Sequence, residues 1–341
     1  MSKITKVDIT ESPSYQFNNL SYSIENDSVV YVHHNEVILH SLCGRGKKKI
    51  SMSSTSTSST SASSSSSSSC QICSASFVSM GSDDLLIITS SNGIQIWTSN
   101  GSTMRYFAPI TNFIDEQEND DEQFLRGVTS IESYNIVCFG SSNGKIHLLK
   151  TDGNHDDFNL ISSISNNNNN NNEINNIFPI TGITSSIEDN VLAFSDENGN
   201  ISFNDIDINN NNFDNIWIVE GDGACCTSLI NYNDSFISGY SNGLIRIYLV
   251  NKYTKGLIFE ITAHARCISD LSINNKGVIA SCSDDQLVSF WSYGNKPNTN
   301  LELITSQQIE DKLLVGIAFV NDDEIITSAY DDILFKVLLC D

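Results

Sequence analysis

Basic residues are scarce in this chain. Eighteen Lys and Arg stand against 41 Asp and Glu among 341 residues, a net charge of −23. A surface so short of cations argues against a nucleic-acid partner, because neutralising phosphates takes clustered Lys and Arg. The same shortage argues against docking on anionic lipid. Proline is rare, with 4 residues, and glycine ordinary, with 19, so the chain is neither collagen-like nor a Pro-rich linker. No apolar run approaches the roughly 18 residues of a membrane-spanning helix. The N-terminus, MSKITKVDITESPSYQFNNLS, has no basic start followed by an apolar run, so no secretory leader is expected. Nine cysteines without a leader imply a reducing compartment and free thiols. The expectation is a soluble, cytoplasmic protein. Peripheral association with membranes or vesicles through partners is compatible with it.

What the chain has in excess is low complexity. Ser51 to Ser69 holds 14 Ser and 3 Thr, Asn166 to Asn172 is an unbroken Asn run, and Asn209 to Asn212 a shorter one. Asp115 to Gln123 is acidic (DEQENDDEQ). None of these can bury enough apolar area to offset its ordering entropy, so all four are expected as disordered or solvated surface loops. Their expected bounds are about 44–70, 115–123, 165–176 and 209–213. The first is expected to be dispensable, since loop entropy grows only slowly with length.

Outside the tracts one pattern recurs. A short apolar segment is followed by a second one rich in Ser and Gly, a turn signal, then an alternating apolar strand. The third piece is the clearest: SSNGIQIW ending at Trp97, SSNGKIHLL at Leu149, DENGNISF at Phe203, YSNGLIRIY at Tyr248, SDDQLVSFW at Trp291 and YDDILFKV at Val337. HHNEVILH, ending at His40, is a weaker version. Asn-Gly between alternating apolar runs is a hairpin signal in which both turn positions take φ > 0. The second turn residues fall at Glu36, Gly93, Gly144, Gly199, Gly243, Asp285 and Asp332, with gaps of 57, 51, 55, 44, 42 and 47. The three longest gaps contain the Ser tract, the acidic stretch and the long Asn run. Without them the period is roughly 40–45 residues, that of a four-stranded propeller blade. Period-two alternation excludes helical repeats. Seven marks predict an all-β, seven-bladed propeller spanning 1–341, with Ile4 to Thr10 supplying the strand that the last blade lacks.

The least degenerate unit runs from His264 to Trp291, HARCISDLSINNKGVIASCSDDQLVSFW. It resembles the WD-repeat family, whose strong copies carry a His before the first strand, an Asp six residues before a Trp, and a Ser on the second strand. Here these are His264, Asp285 and Trp291, with Ser281 or Ser283 as the hydroxyl; Ser283 is assigned. A buried His needs its ring N–H satisfied, and a turn Asp supplies the acceptor, so the group is read as a structural tetrad rather than a His–Asp–Ser catalytic array. No unit has Asp directly after its Trp: Thr98 follows Trp97 and Ser292 follows Trp291. That departs from the ubiquitin-ligase adaptors of the family. Longer strings, TSSNGIQIWTSNGSTMRYF (Thr89 to Phe107), SGYSNGLIRIY (Ser238 to Tyr248) and ITAHARCISDL (Ile261 to Leu271), are similar to one branch of it. The resemblance implies a propeller that scaffolds other proteins.

Other candidates carry a blander reading beside the chemical one. Cys70-Gln-Ile-Cys73 has half a zinc spacing, but no second pair follows, and a strand beginning there is favoured. Cys225-Cys226 could offer a reactive thiol; core packing is favoured. Arg45-Gly-Lys-Lys-Lys49 is read as a solvated loop rather than a localisation signal. Arg126 and Arg266 each stand two residues before the first apolar residue of an inner strand, in a chain with five Arg. That places them near the central opening, where two guanidinium groups could receive an acidic partner motif. Pairing with Asp270 or Asp284 is the competing expectation. The functional expectation is a scaffold for other proteins, with no catalytic residue, cofactor or metal. A propeller hydrolase with an unrecognised site at the channel mouth is the second reading.

Overall fold

The computed structural model describes residues 3–44, 46–51, 70–81, 83–115, 122–152, 154–165, 178–186, 190–207, 212–251, 253–293 and 301–339. Among them, 28 strands form seven antiparallel four-stranded sheets. The innermost strands are Ser21–Ser23, Ile72–Met80, Leu125–Ile131, Ile180–Ser186, Cys226–Tyr232, Ile268–Ile273 and Leu314–Asn321, those of blades 1 to 7. Each touches the next, and the last touches the first, closing a ring. This is the expected seven-bladed propeller.

The core explains why a blade cannot stand alone. Seven apolar clusters lie between neighbouring blades rather than within them. In blade 3, Val137 and Phe139 join Ile87 and Ile96 of blade 2, while Ile136 and Cys138 join Ile180 and Phe194 of blade 4. One strand therefore feeds two clusters through its two faces, and the second strand Ile136–Ser141 is buried throughout. Fully burying a side chain such as Phe139 is worth about 1.5–3 kcal/mol, and half of every blade's share depends on a neighbour.

The last blade is closed by the other end of the chain. Ile4–Val7 pairs antiparallel with Leu334–Val337 and becomes its outer strand. From there a strap crosses to blade 1. The Ser14 N–H donates to the Val32 carbonyl (2.8 Å), and the Asp331 N–H to the Pro13 carbonyl (3.1 Å). Tyr31 Oη donates to the Glu11 carbonyl (2.9 Å).

Three expectations need correction. First, the loop placed at about 44–70 begins too early. Lys47–Ser51 is the outer strand of blade 1, paired with Glu36–His40. Its basic run is neutralised: Lys47 meets Glu11, and Lys49 meets Glu11 (2.8 Å) and Glu36 (3.1 Å). Opposite charges across and beside a strand let a Lys-rich segment pair. Second, Ser165 ends one outer strand, and Asn212 and Phe213 begin another, so the expected loop bounds at 165 and at 212–213 take in strand residues. The tracts themselves, 52–69, 116–121, 166–177 and 208–211, lie outside the described residues. Third, the Asn of each Asn-Gly turn does not take φ > 0; only the Gly does, as at Gly144, Gly199 and Gly243. The Gly243 N–H bonds back to the Tyr240 carbonyl (3.0 Å), the pattern of a longer turn with its left-handed residue last. A Cβ on Gly243 would lie 2.2 Å from the His264 carbonyl oxygen. In blade 6 the left-handed place falls to Gln286, at φ +71. Asp285 therefore matches Asn242, and the sixth mark shifts by one residue.

Deleting residues 1–12 removes the outer strand of blade 7 and the Glu11 anchor of the strap. At roughly 2–4 °C per kcal/mol for a domain of this size, a loss of several kcal/mol should lower the melting midpoint by about 10 °C. An unchanged midpoint in differential scanning calorimetry would show that the ring closes without them.

Candidate functional site

The tetrad forms in blade 6, with one member exchanged. His264 Nδ1 faces Asp285 Oδ2 at 3.0 Å, and Nε2 faces Ser281 Oγ at 2.7 Å. Trp291 Nε1–H donates to the same Oγ at 3.0 Å. With the proton on Nδ1 every member is satisfied: the ring donates to Asp285, and Ser281 donates to Nε2 while accepting from the indole. Ser283, the hydroxyl assigned from sequence, instead accepts the Asp285 N–H (3.1 Å) and holds the turn. The strand's period of two puts Ser281 and Ser283 on one face, and their places along it differ. Ser281 is fully buried opposite Ser289, where the side chains of His264 and Trp291 converge. Burial works to raise the Asp285 carboxyl, but the His264 ring and the N–H groups of Ala265 and Leu287 outweigh it and hold it below its ordinary value. The His264 side chain is 0% exposed.

Blade 3 builds a different polar core, in which only Asn143 stands at a position of the blade 6 group, that of Asp285. His147 Nε2 meets Ser141 Oγ (2.9 Å), Ser141 donates to Asn143 Oδ1 (2.6 Å), and His147 Nδ1 meets Ser163 Oγ (2.9 Å). Burial, then the Lys145 charge, pushes this imidazole down to about 4. Replacing His264 with Ala should cost about 2–3 kcal/mol by stranding the half-buried Asp285 and the Ser281 hydroxyl. Ser281→Ala should cost more than Ser283→Ala in urea denaturation. The reverse order would contradict the hydrogen-bond chain.

A second construction surrounds the central channel. In blades 2 to 7 the inner strand is bulged near its start, skipping Cys73, Gly127, Thr181, Thr227, Ser269 and Val315 in the pairing. A bulge turns backbone groups out of the ladder. The strap uses three of them. Asn18 Nδ2 donates to the Thr227 carbonyl (2.8 Å). The Asn18 N–H donates to the Ser269 carbonyl (3.1 Å), and the Asn19 N–H to the Val315 carbonyl (2.9 Å). Asn18 reaches this position with φ +54, which Asn tolerates better than most residues. Asn19 is 2% exposed; its side chain bonds both backbone groups of Val32 and the Ser14 carbonyl.

Beside the strap is a cavity of about 420 Å³, lined by blades 2 to 5, Asp270 and Tyr15 to Asn18. Asn18 and Asp270 also line a second cavity of about 340 Å³, farther along the inner strands. Asp270 is held by donors from three blades: Ser228 Oγ (3.2 Å), the Leu271 N–H (2.8 Å) and the Ile317 N–H (2.9 Å). Burial overrides these bonds and pushes its carboxyl up to about 7. The folded state thus holds this proton more tightly than the unfolded chain, whose Asp titrates near 3.9. Its contribution to stability is complete below about pH 4 and is lost as pH rises through about 7. Asp270→Asn should remove that limb. Urea midpoints of wild type minus variant, compared from about pH 4 to 8, should fall with rising pH; a flat difference would refute the burial.

Both arginines singled out from sequence emerge at the end of the ring where the inner strands begin. They are three blades apart, and only Arg126 lines the cavity. Neither pairs with Asp270 or Asp284. Arg126 Nη1 meets Glu197 Oε1 of blade 4 (3.2 Å), and the guanidinium lies 4.7 Å from the Phe124 ring centroid. Arg266 is exposed and has no ion pair among the described residues. Asp284 instead accepts from Tyr15 Oη (3.1 Å). Sequence reasoning passed over Arg246, whose Nε meets Glu260 (2.7 Å) and Nη2 meets Asp222 (2.8 Å), with the guanidinium 4.6 Å from the Tyr240 ring. It also passed over the strap itself, whose only signal was the Asn pair just before the first blade.

The remaining candidates stay bland. The eight described cysteines are free thiols. Burial pushes Cys73 and Cys226 up to about 12 and Cys225 to about 11, the opposite of an activated nucleophile. Among the described residues no three His, Cys, Asp or Glu side chains are grouped to hold a metal ion. Among the described residues no helix is long and apolar enough to cross a membrane.

Comparison with known proteins agrees with this geometry. The family model WDR54 matches residues 48–332. WD repeat-containing protein 54 of Mus musculus is 25% identical over 244 residues, covering 69% of this chain and 68% of the mouse protein. That of Homo sapiens is 25% identical over 248 residues, with the same shares. Among solved structures, a chain in the crystal structure of the mitotic checkpoint complex superimposes with a TM-score of 0.72 at 14% identity, covering 99% of this chain and 91% of that one. Raptor of Chaetomium thermophilum gives 0.70 at 11% identity, over 97% and 28%. At such identities the two structures show the shared fold alone.

Proposed function

The chain belongs to the WDR54 family of WD-repeat propellers, and from that premise we propose that it is a non-catalytic scaffold binding partner proteins on the face where the inner strands begin. WD-repeat propellers typically serve as protein-interaction scaffolds. The observation that carries the choice of face is the state of its arginines. Arg246 is paired on two sides, whereas Arg266 is exposed and free of ion pairs, and Arg126 has one contact to a Glu197 that is 43% exposed. Such an exposed pair is worth only about 0–1 kcal/mol, so Arg126 can exchange Glu197 for a partner's acceptor at little cost. A desolvated hydrogen bond to a charged group contributes about 1.5–3 kcal/mol. In a chain of net charge −23, two available guanidinium groups on one face also steer acidic segments toward it. The buried tetrad, the raised thiols and the lack of a grouped metal-ligand set supply no machinery for the hydrolase reading.

Changing Arg126 and Arg266 together to Glu should weaken capture of partners by about tenfold or more, with an unchanged melting midpoint. Quantitative affinity enrichment from cells, wild type against variant, measures this. Retention of every partner at wild-type strength would move the binding surface elsewhere on the ring.

A further inference from the structure

We propose that the open half of the channel mouth, between blades 2 and 4, binds a carboxamide side chain, an Asn or Gln carried on an extended segment of a partner protein. The assignment rests on reading this face as the partner-binding one and names what it recognises.

The strap shows how this channel holds a chain. On blades 5, 6 and 7 the skipped residues Thr227, Ser269 and Val315 offer carbonyl oxygens, and three amide donors of Asn18 and Asn19 take them. The same bulge recurs on blades 2, 3 and 4 at Cys73, Gly127 and Thr181. These three residues line the cavity of about 420 Å³. Among the described residues no turn, loop or side-chain donor reaches their carbonyl oxygens. The pseudo-symmetry of the ring thus repeats the acceptors of the occupied half in the open one.

The cavity also offers donors. Gln16 lines it, and its buried Nε2 has no hydrogen-bond partner. Arg126 lines it too and uses only Nη1, toward Glu197. A site with both free acceptors and free donors selects its occupant by chemistry. A carboxylate accepts but cannot donate, and it would face Glu197 and Asp270. An ammonium donates but cannot accept from Gln16 or Arg126. A primary carboxamide does both, and the Asn18 side-chain amide already donates to such a carbonyl on blade 5. The volume lies in the range of small-ligand pockets, and the strap stands between this cavity and the one beyond it, so an entering side chain meets a floor.

The test uses the full chain with ¹³C-labelled Ile, Leu and Val methyl groups, titrated with N-acetyl-asparagine N-methylamide and with its aspartate and leucine counterparts. The asparagine compound should shift the Val128 and Ile183 methyl signals saturably, with a Kd about tenfold below those of the other two. Leu271 and Ile317, on the strap side, should not respond. Gln16→Leu and Arg126→Met should each weaken binding, with Lys276→Met, in the turn at the other end of an inner strand, as the unaffected control. Tighter binding of the aspartate compound, equal binding of the leucine compound, or no saturable shift would each overturn the assignment, and all three are read on the wild-type protein. If no compound binds while the double Arg variant still sheds partners, the carboxamide pocket falls and the partner-binding face stands.

Discussion

The ring depends on its closure. Every blade buries its two faces only against neighbours, so an open arc would leave two sheets bare. Asn18 and Asn19 stand at the junction. Their backbone and side-chain groups reach blades 5, 6 and 7 on one side and Val32 of blade 1 on the other. The Ser328 hydroxyl adds a bond to the Asn19 carbonyl (3.0 Å). Two adjacent residues, through backbone and side-chain groups together, thus tie four blades, while Ile4–Val7 completes the outermost strand of the seventh. Val7, Ile9 and Leu20 pack into the apolar cluster between blades 7 and 1, which makes residues 3–20 part of the fold rather than a tail.

Closure also shapes the channel. Bulges interrupt the pairing at the start of six inner strands, and a strap through one side bonds the carbonyl groups of three of them. The channel is divided into two cavities with Asn18 and Asp270 between them. Asp270 marks the strain of that division: three donors favour its charge, yet burial keeps the proton on until about neutral pH. The same packing that seals the seam thereby produces the polar pocket on the opposite side and links stability to pH.

The blades solve one problem by different means. Blade 6 uses His264, Ser281, Asp285 and Trp291; blade 3 uses Ser141, Asn143, His147 and Ser163; blade 5 lays Tyr240 against Tyr248, their hydroxyl groups 3.2 Å apart. Each gathers the polar groups beside a tight turn into a satisfied buried cluster, as a low-dielectric interior requires. The stability of the ring does not need seven copies of one motif, which is why six degenerate repeats still form six regular sheets.

Blade number, strand order and family were legible in the chain itself, because period-two alternation and turn residues act within a few positions of one another. The seam strand was legible as well, being the one strand-like segment left over. Side-chain partners were not. Ser281 and Ser283 share one strand face, and only the point along it where His264 and Trp291 converge separates them. Arg126 was placed correctly at the channel mouth, but its partner Glu197 belongs to the next blade, more than 70 residues away in sequence. Lys47–Ser51 looked like loop because the acids that neutralise it, Glu11 and Glu36, come from a strap and a neighbouring strand. The bulges, the strap's path through the channel and the proton on Asp270 all arise where three or more blades meet. Local pattern determines each sheet; what lies between sheets is decided only when the ring closes.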